Sequence, residues 1–289
     1  MNSASPKVSV ICTCYNHEKY VLASIQSVFN QTYRNYELIV VDDGSTDKSA
    51  EVIDAIRRDH PDFVFIKLER NEGICKAFNT AFKISQGDYV IDLAADDLLL
   101  PKRLERGVEV FNALDRRYGV IFSDAEWINE QGDHLFFHSS KHPHDTIPQG
   151  DVYKDLIRRY FICSPTMMFR RNVIERLEGY NENLTYEDFD FWIRSSRIFY
   201  YFYSHEVLVQ KRKLKNSLSH DQFKILNKHN DSTFKVCKKI MELNATTEEQ
   251  GALRNRLQYE MRQSLRTLDI ALAYKYFLLW HKNNTLTYH

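Results

Sequence analysis

Tyr89-Val90-Ile91-Asp92-Leu93-Ala94-Ala95-Asp96-Asp97 is a short apolar run that ends in two adjacent carboxylates. A second apolar run, residues 37–41, ends in the same way at Asp42-Asp43. Runs of this length and composition predict strands, and the carboxyl ends of strands in an open α/β sheet border the ligand crevice. The two acidic strand ends therefore predict a site for a cation and a nucleotide. For either pair alone, a role as helix cap or turn former remains an open alternative.

Strand and helix patterns alternate through the first half of the chain. Further apolar runs predict strands at residues 8–12, 63–68 and 120–124, and amphipathic stretches predict helices at residues 18–30, 48–59, 74–85 and 102–116. Apolar strands separated by amphipathic helices predict a mostly parallel sheet that is covered on both faces. The fold class expected here is therefore α/β.

The second half of the chain has a less regular pattern. Residues 129–149 are typical of a hairpin plus a mobile loop, and residues 163–169 are typical of a strand. From about residue 219 onward the pattern is helical. We therefore predict one α/β domain over residues 1–218 and a C-terminal helical extension over residues 219–289.

Composition excludes several classes of protein. The 39 basic and 39 acidic residues balance, so the overall charge gives no attraction to nucleic acid. Five scattered cysteines predict reduced thiols rather than a disulfide framework or a zinc site. The N-terminus has no apolar signal segment, and no apolar run reaches the roughly 20 residues that cross a bilayer. We expect a cytoplasmic protein, at most peripheral at the inner face of the membrane.

Five short motifs follow one another in a fixed order. They are Val8-Ser9-Val10-Ile11-Cys12-Thr13-Cys14-Tyr15-Asn16, Val40-Val41-Asp42-Asp43-Gly44-Ser45-Thr46-Asp47, Asn71-Glu72-Gly73, Ala95-Asp96-Asp97 and Tyr186-Glu187-Asp188-Phe189-Asp190-Phe191-Trp192. In this order the chain resembles the family 2 glycosyltransferases of the GT-A fold over roughly residues 6–215. The resemblance implies a Rossmann-like sheet and an inverting, metal-dependent transfer of a sugar from a nucleotide donor. It also implies a nucleotide-binding half at about residues 6–97 and an acceptor-binding half at residues 98–218.

The acidic pair after the fourth strand is the candidate metal site. A diphosphate leaving group develops charge that a divalent cation neutralises, and Mg²⁺ typically takes only one or two protein carboxylates. The resemblance implies that Asp97 holds Mn²⁺ or Mg²⁺ and that Asp96 contacts the donor ribose. The alternative is that both are solvated caps of the helix entered at Pro101.

The ends of the first two strands are the candidate base site. The Asp43 carboxylate can accept the imide N–H of uracil or thymine, Thr13 is placed beside the same base, and Tyr15 can stack on it. Asp42 could equally be the contact, and the resemblance favours Asp43. Ordinary packing at the strand end is the alternative for Thr13 and Tyr15.

The remaining candidates lie at the start of two helices. Gly73 lets the backbone approach a nucleotide closely, and Lys76 offers a cation to a phosphate or sugar unless it is simply a solvated lysine. Glu187 and Asp188 lie among aromatic residues, where a carboxyl pKa rises as a general base requires. The family position assigns the base to Asp188, with Glu187 near acceptor or donor hydroxyls. A helix-capping pair is the alternative, and it is compatible with catalysis.

The chain departs from the family pattern near its last strand. Many relatives carry a histidine there that contributes to the metal or diphosphate, and Leu214 occupies its place. Either Arg212, Lys213 or Lys215 neutralises the diphosphate instead, or His220 moves in from a loop.

The leading hypothesis is an inverting glycosyltransferase that uses a UDP-sugar and a saccharide or lipid-linked acceptor in surface polysaccharide biosynthesis. A nucleotidyltransferase or dehydrogenase would want a glycine-rich loop after the first strand, which Cys14-Tyr15-Asn16-His17 does not supply. A catalytically silent sugar-nucleotide or glycan-binding module is the remaining alternative. For the apolar residues 271–280, core packing or a homodimer contact is favoured over membrane contact.

Overall fold

The structure is a computed structural model that describes residues 5–215 and 228–285. Within these residues nine strands form one sheet, in the spatial order β3-β2-β1-β4-β8-β6-β9-β5, with β7 paired to β6. The strands are β1 (Val8–Cys14), β2 (Tyr36–Asp42), β3 (Val64–Lys67), β4 (Tyr89–Ala94), β5 (Leu98–Leu99), β6 (Tyr118–Ile128), β7 (His134–Phe137), β8 (Met168–Arg170) and β9 (Tyr200–Arg212).

Helices cover both faces of this sheet, which confirms the predicted fold class. They are α1 (Val21–Phe29), α2 (Ser49–Asp59), α3 (Ile74–Ile84), α4 (Arg103–Ala113), α5 (Tyr153–Arg158), α6 (Arg171–Arg176), α7 (Asp188–Ser196), α8 (Lys228–Leu243), α9 (Thr247–Arg266) and α10 (Ile270–Thr285). Alternate side chains of β1 enter opposite cores: Val10 packs in the cluster that contains Ile25 of α1, and Ile11 packs in the cluster that contains Phe78 of α3. Both cores are apolar because strands of a parallel sheet are buried on both faces.

The first four strands along the chain are parallel. β1 pairs with β2 on one side and β4 on the other, and β3 pairs with β2. In the second half β8 is antiparallel to both β4 and β6, and β9 is parallel to β6. The antiparallel strands thus occur where the sequence pattern is less regular.

The predicted strand at residues 163–169 is partly wrong. Ser164–Thr166 forms a 3₁₀ turn, and the strand itself is confined to β8. Pro165 has no N–H to give to a sheet ladder, whereas it fits the first turn of a helix. The predicted hairpin is present, because β6 and β7 are antiparallel, and 3₁₀ turns follow at His138–Ser140 and His144–Thr146.

The predicted C-terminal helical region is confirmed as α8, α9 and α10. The helical pattern is expected from about residue 219, and the first of these helices is described from Lys228 onward, since residues 216–227 lie outside the described residues. Thr246 and Glu249 form a reciprocal capping box that starts α9. Leu257 of α9 and Tyr276 of α10 belong to the same buried cluster as Phe189 of α7. The C-terminal helices therefore pack directly against the helix that carries the Glu187-Asp188 motif.

Candidate active site

The ends of three parallel strands lie level with one another. Cys14 pairs with Asp42 in the register of β1 and β2, and Thr13 pairs with Ala94 in the register of β1 and β4. The Asp43 N–H donates to the carbonyl of Cys14 at 2.8 Å, which continues the ladder past the end of β2. This register brings the two acidic strand ends to one edge of the sheet, on either side of β1, as the sequence predicts.

Asp43 fixes the loop that precedes α3. Its carboxylate oxygens accept the N–H of Glu72 at 2.8 Å and the N–H of Gly73 at 2.9 Å. Gly73 has φ +96°, and a Cβ added there would meet no atom within 4 Å. The glycine is therefore required by backbone conformation rather than by crowding, and it leaves open space at the start of α3. Burial raises the pKa of Asp43, and its two backbone hydrogen bonds oppose that rise.

Asp42 is a turn former. Its Oδ2 accepts the N–H of Ser45 at 3.1 Å, an arrangement that is typical of an aspartate that starts a turn. Its Oδ1 is buried and has no hydrogen bond within the described part of the chain. Asp42 shares its face of β2 with Leu38 and Val40, which pack under α1 and α2. This placement favours Asp43 as the ligand contact.

Three further predicted nucleotide contacts surround this edge. The Thr13 hydroxyl is buried and has no hydrogen-bond partner among residues 5–215 and 228–285. Tyr15 follows β1 directly and is 41% exposed, so its ring is accessible for stacking. Lys76 lies in the first turn of α3, where its Nζ is 2.6 Å from Oε2 of Glu72. Thr13 thus offers an unused polar group at this edge, and Lys76 has a carboxylate partner in the absence of ligand.

Asp97 is buried at the end of the β4 segment. Its Oδ1 accepts the backbone N–H of Arg212 at 2.7 Å, and its own N–H donates to the Ala94 carbonyl at 3.0 Å. Its Oδ2 forms no hydrogen bond within the residues that the structure describes. Burial, followed by repulsion from Asp96, raises the pKa of Asp97 to about 8. A cation beside this carboxylate would relieve both effects.

The donor set at this pair fits a divalent cation that is bound together with a diphosphate. No group of three or more Cys, His, Asp or Glu in residues 5–215 and 228–285 has the arrangement of a metal site. A cation here would have only Asp97 and Asp96, which is enough for Mg²⁺ or Mn²⁺ when phosphate oxygens and water complete the coordination. His17, which the sequence analysis did not select, has its Nδ1 3.9 Å from Asp96 Oδ1.

The Arg212 side chain holds a neighbouring loop. Its Nε donates to the Asp96 carbonyl at 3.0 Å, and one terminal nitrogen donates to the carbonyls of Asn129 and Glu130 at 2.9 and 3.2 Å. Through these three hydrogen bonds the Arg212 guanidinium connects the end of the β4 segment to the loop after β6. Of the other residues expected to face the diphosphate, Lys213 and Lys215 are exposed, and His220 lies outside the described residues.

Lys211 is the cation that sequence reasoning missed. Burial lowers its pKa, but Cys163, Asp97 and Asp188 outweigh that effect, so the pKa is raised overall and the ammonium stays charged. Its Nζ lies 5.2 Å from the centroid of the Trp127 ring, opposite it in the β6–β9 register. Strand alternation does not select it, because Val209 on its own side of β9 and Leu208 on the other side are both buried.

Asp188 begins α7 with one oxygen anchored and one unused. Its Oδ2 accepts a hydrogen bond of 2.5 Å from the Ser164 hydroxyl, whereas its Oδ1 is buried without a partner in the described chain. Burial raises the pKa of Asp188, and Ser164 and Lys211 oppose the rise. Burial, Asp188 and Asp92 together raise the pKa of the neighbouring Glu187 well above its usual range. Ionisation is thus disfavoured more strongly at Glu187 than at Asp188, so Asp188 is the better base of the pair.

Comparison with known proteins agrees with this geometry. Residues 9–178 match the model of glycosyl transferase family 2. The chain belongs to that family. An uncharacterized glycosyltransferase of Rickettsia typhi is 30% identical over 217 residues, which cover 73% of this chain and 65% of that protein. The chain therefore spans just under two thirds of the length of this curated relative.

Two solved structures have the same GT-A fold as this family 2 protein. Staphylococcus aureus TarS in complex with UDP-GlcNAc aligns over 96% of this chain and 90% of its own, with a TM-score of 0.66 and 18% identity. The mannosyltransferase PcManGT from Pyrobaculum calidifontis, in complex with GDP-Man and Mn²⁺, aligns over 98% and 83%, with a TM-score of 0.64 and 15% identity. At such identities the likeness shows the fold alone.

The family 2 protein has a third, partly buried carboxyl group near the Glu187-Asp188 motif. Asp92, in the middle of β4, accepts a hydrogen bond of 3.1 Å from the Tyr180 hydroxyl. Burial raises the pKa of Asp92 to about 7, and the negative charge of Asp188 adds to the rise. Sequence analysis treated Asp92 as part of an apolar strand, and only the long-range contact with Tyr180 identifies it as part of this acidic cluster.

We expect Asp92→Asn to flatten the pH dependence of stability. A carboxyl with its folded pKa at about 7, against an ordinary 3.8, stabilises the fold below about pH 4 and loses that contribution as the pH rises through 7. Asparagine cannot ionise and can still accept from Tyr180. The fall in Tm of the wild type between about pH 5 and pH 8 should be roughly 5 °C smaller in Asp92→Asn. The exposed Asp54→Asn is the matched control, and an equal flattening in it would contradict the assignment.

Proposed function

We propose that this family 2 protein is an inverting glycosyltransferase that moves a sugar from a UDP-type nucleotide to a hydroxyl of a saccharide or lipid-linked acceptor. The observation that carries the proposal is Asp188, whose Oδ2 is fixed by Ser164 while its buried Oδ1 has no partner among the described residues. In the transfer, the acceptor oxygen forms a bond to the anomeric carbon as the bond from that carbon to the diphosphate breaks. The acceptor proton passes to Oδ1 of Asp188, and the nucleoside diphosphate leaves.

Glu187 has a different part in this scheme. Its raised pKa favours the protonated form, in which its carboxyl can donate a hydrogen bond to a sugar hydroxyl. It also adds no second negative charge beside Asp188, so Asp188 can ionise and act as the base.

At the diphosphate end, Asp97 and Asp96 would hold Mn²⁺ or Mg²⁺. When bound, such a cation neutralises the charge that develops on the leaving diphosphate. Lys211 supplies a further positive charge on the same side, since its pKa is raised by both Asp97 and Asp188. In this proposal Lys211 takes the electrostatic part that the family histidine plays where this chain has Leu214.

At the nucleotide end, the unused hydroxyl of Thr13 and the carboxylate of Asp43 would receive the base, with Tyr15 stacked on it. Each Asp43 oxygen accepts one backbone N–H and retains a lone pair for the imide N–H of uracil. The open space at Gly73 would admit a phosphate or sugar to the start of α3, near Lys76.

The related structures support a nucleotide-sugar donor, because TarS is in complex with UDP-GlcNAc and PcManGT is in complex with GDP-Man and Mn²⁺. Their bases differ, and the preference for uridine rests on Asp43 and on the resemblance described above. The role in surface polysaccharide biosynthesis follows from the same resemblance.

Calorimetric titration with UDP, TDP, GDP and CDP, each with Mn²⁺ and with a chelator, tests the donor and metal parts of the proposal. We expect UDP or TDP to bind at least tenfold more tightly than CDP, because cytosine has no imide N–H and leaves the Asp43 carboxylate unpaired. We also expect that binding to weaken when the metal is removed. Preference for CDP would contradict the role of Asp43, preference for GDP would contradict the uridine-type donor, and metal-independent binding would contradict the role of Asp97. Absence of binding by all four would favour the silent module.

A further inference from the structure

The α9–α10 hairpin exposes apolar side chains at its tip. They are Leu265, Leu268, Ile270, Tyr274, Phe277 and Leu278, which we call the tip surface. Ile270, Tyr274 and Phe277 recur at intervals of four and three residues, so they share one face of α10. The opposite face, with Leu272 and Tyr276, packs in the core. α10 is therefore apolar on both faces although only one of them is covered by the described chain.

Leu268 forms the corner of this hairpin in an unfavourable conformation. It has φ +59°, in the left-handed region where a bulky side chain is uncommon and where glycine or asparagine is preferred. Its side chain is 73% exposed, and that of Ile270, two residues later, is 71% exposed. The conformation of Leu268 is strained, and its exposed side chain gains no packing against the described residues in return. A contact with another molecule would explain an exposed leucine at this corner.

Basic residues accompany the tip surface. Arg262 and Arg266 lie in the last turns of α9, Lys275 lies among the exposed residues of α10, and none of the three forms an ion pair with the described part of the chain. The nearby acid, Asp269, accepts the N–H of Leu272 and so caps α10. The tip surface is thus apolar and aromatic with unpaired positive charge beside it.

We propose that the tip surface docks on an anionic lipid surface. Exposed leucine and aromatic side chains accompanied by Lys and Arg are the composition of helices that lie in a membrane interface. No helix among the described residues is long and apolar enough to cross a membrane. A second copy of the chain is disfavoured as occupant, because a twofold contact through this surface would bring the same cations of both copies together.

Co-sedimentation with vesicles of phosphatidylglycerol and phosphatidylcholine in equal parts tests this proposal. The full chain should bind these vesicles, bind pure phosphatidylcholine vesicles much more weakly, and lose affinity as NaCl is raised. Arg266→Gln combined with Lys275→Gln should weaken binding about 30-fold, since each cation near the surface contributes about a factor of five. Arg57→Gln combined with Arg58→Gln removes the same charge from exposed positions of α2 and should leave binding unchanged.

Three substitutions of apolar residues distinguish membrane docking from non-specific hydrophobic adsorption. Phe277→Ser should weaken vesicle binding roughly tenfold, because a partly buried aromatic side chain is lost from the interface. Ile84→Ser, at an equally exposed position of α3, should have no effect. Leu268→Asn suits the left-handed corner and should weaken binding while the thermal stability holds or rises. Equal binding by wild type and the tip variants would overturn the proposal, as would a wild-type dimer in sedimentation velocity that Phe277→Ser dissociates.

Discussion

Asp188→Asn should lower kcat for sugar transfer by about a thousandfold while leaving nucleotide affinity within about twofold of the wild type. Asparagine retains an oxygen that can accept from Ser164, so the start of α7 should keep its geometry. It cannot take the acceptor proton. Steady-state kinetics with a saturating donor, together with calorimetric nucleotide binding, measures both quantities on the same preparation.

Glu187→Gln is the matched comparison for this prediction. Because the raised pKa of Glu187 favours its protonated form, an amide in its place should cost less than about tenfold in kcat, the effect of losing one neutral hydrogen bond. If Glu187→Gln abolished transfer and Asp188→Asn did not, the two carboxyl groups would have exchanged roles. If Asp188→Asn also weakened nucleotide binding strongly, its effect would be structural.

The sequence could predict the edge of the sheet that carries the candidate site, and the physical reason is local. A strand and the residue that ends it are adjacent in the chain, so apolar runs followed by Asp42-Asp43 and Asp96-Asp97 already specify which residues lie at the carboxyl edge. The parallel register then places Thr13 between them. The glycine at position 73 is predictable for the same reason, since its positive φ is a property of one turn.

What the sequence could not predict depends on contacts between distant segments. Asp92 accepts a hydrogen bond from Tyr180, 88 positions away, and only that contact distinguishes a carboxyl of the candidate site from an irregularity in a strand. Arg212 was one of the residues expected to neutralise the diphosphate, yet its guanidinium is engaged with loop carbonyls, whereas the pKa of the neighbouring Lys211 is raised by Cys163, Asp97 and Asp188. Neighbouring residues of a strand point to opposite faces of the sheet. The composition of a basic segment therefore does not reveal which of its side chains faces the site.

The C-terminal helices illustrate the same limit on a larger scale. Their periodicity predicts helices, but the pattern does not indicate that Leu257 and Tyr276 share a buried cluster with Phe189, the residue after Asp188. Nor does the pattern distinguish the covered face of α10 from the exposed one, because both are apolar. The tertiary partner decides which face is buried, and that information is spread over α7, α8 and α9.

Asp97→Asn should abolish the stimulation of nucleotide binding by Mn²⁺. Loss of residues that only support a metal ligand typically weakens metal binding 10- to 100-fold, so loss of the ligand itself should weaken UDP binding in Mn²⁺ by about 100-fold or more. With a chelator the difference should disappear, because metal-free Asp97, with its pKa at about 8, is mostly protonated at neutral pH and resembles the neutral asparagine, so the variant should bind UDP as well as the wild type. Calorimetry in both conditions gives the four affinities.

The thermal stability of Asp97→Asn and the Mn²⁺ response of a second variant, Asp92→Asn, provide the controls for this prediction. Asparagine can still accept the backbone N–H of Arg212, and it removes a buried carboxyl that repels Asp96, so the thermal stability of the metal-free variant should not fall. Asp92→Asn removes a different carboxyl group of the β4 segment, one that accepts a hydrogen bond from Tyr180. This variant should retain the full response to Mn²⁺. If Asp97→Asn kept that response as well, the cation would be held elsewhere, and Asp97 would serve only to fix the end of β9.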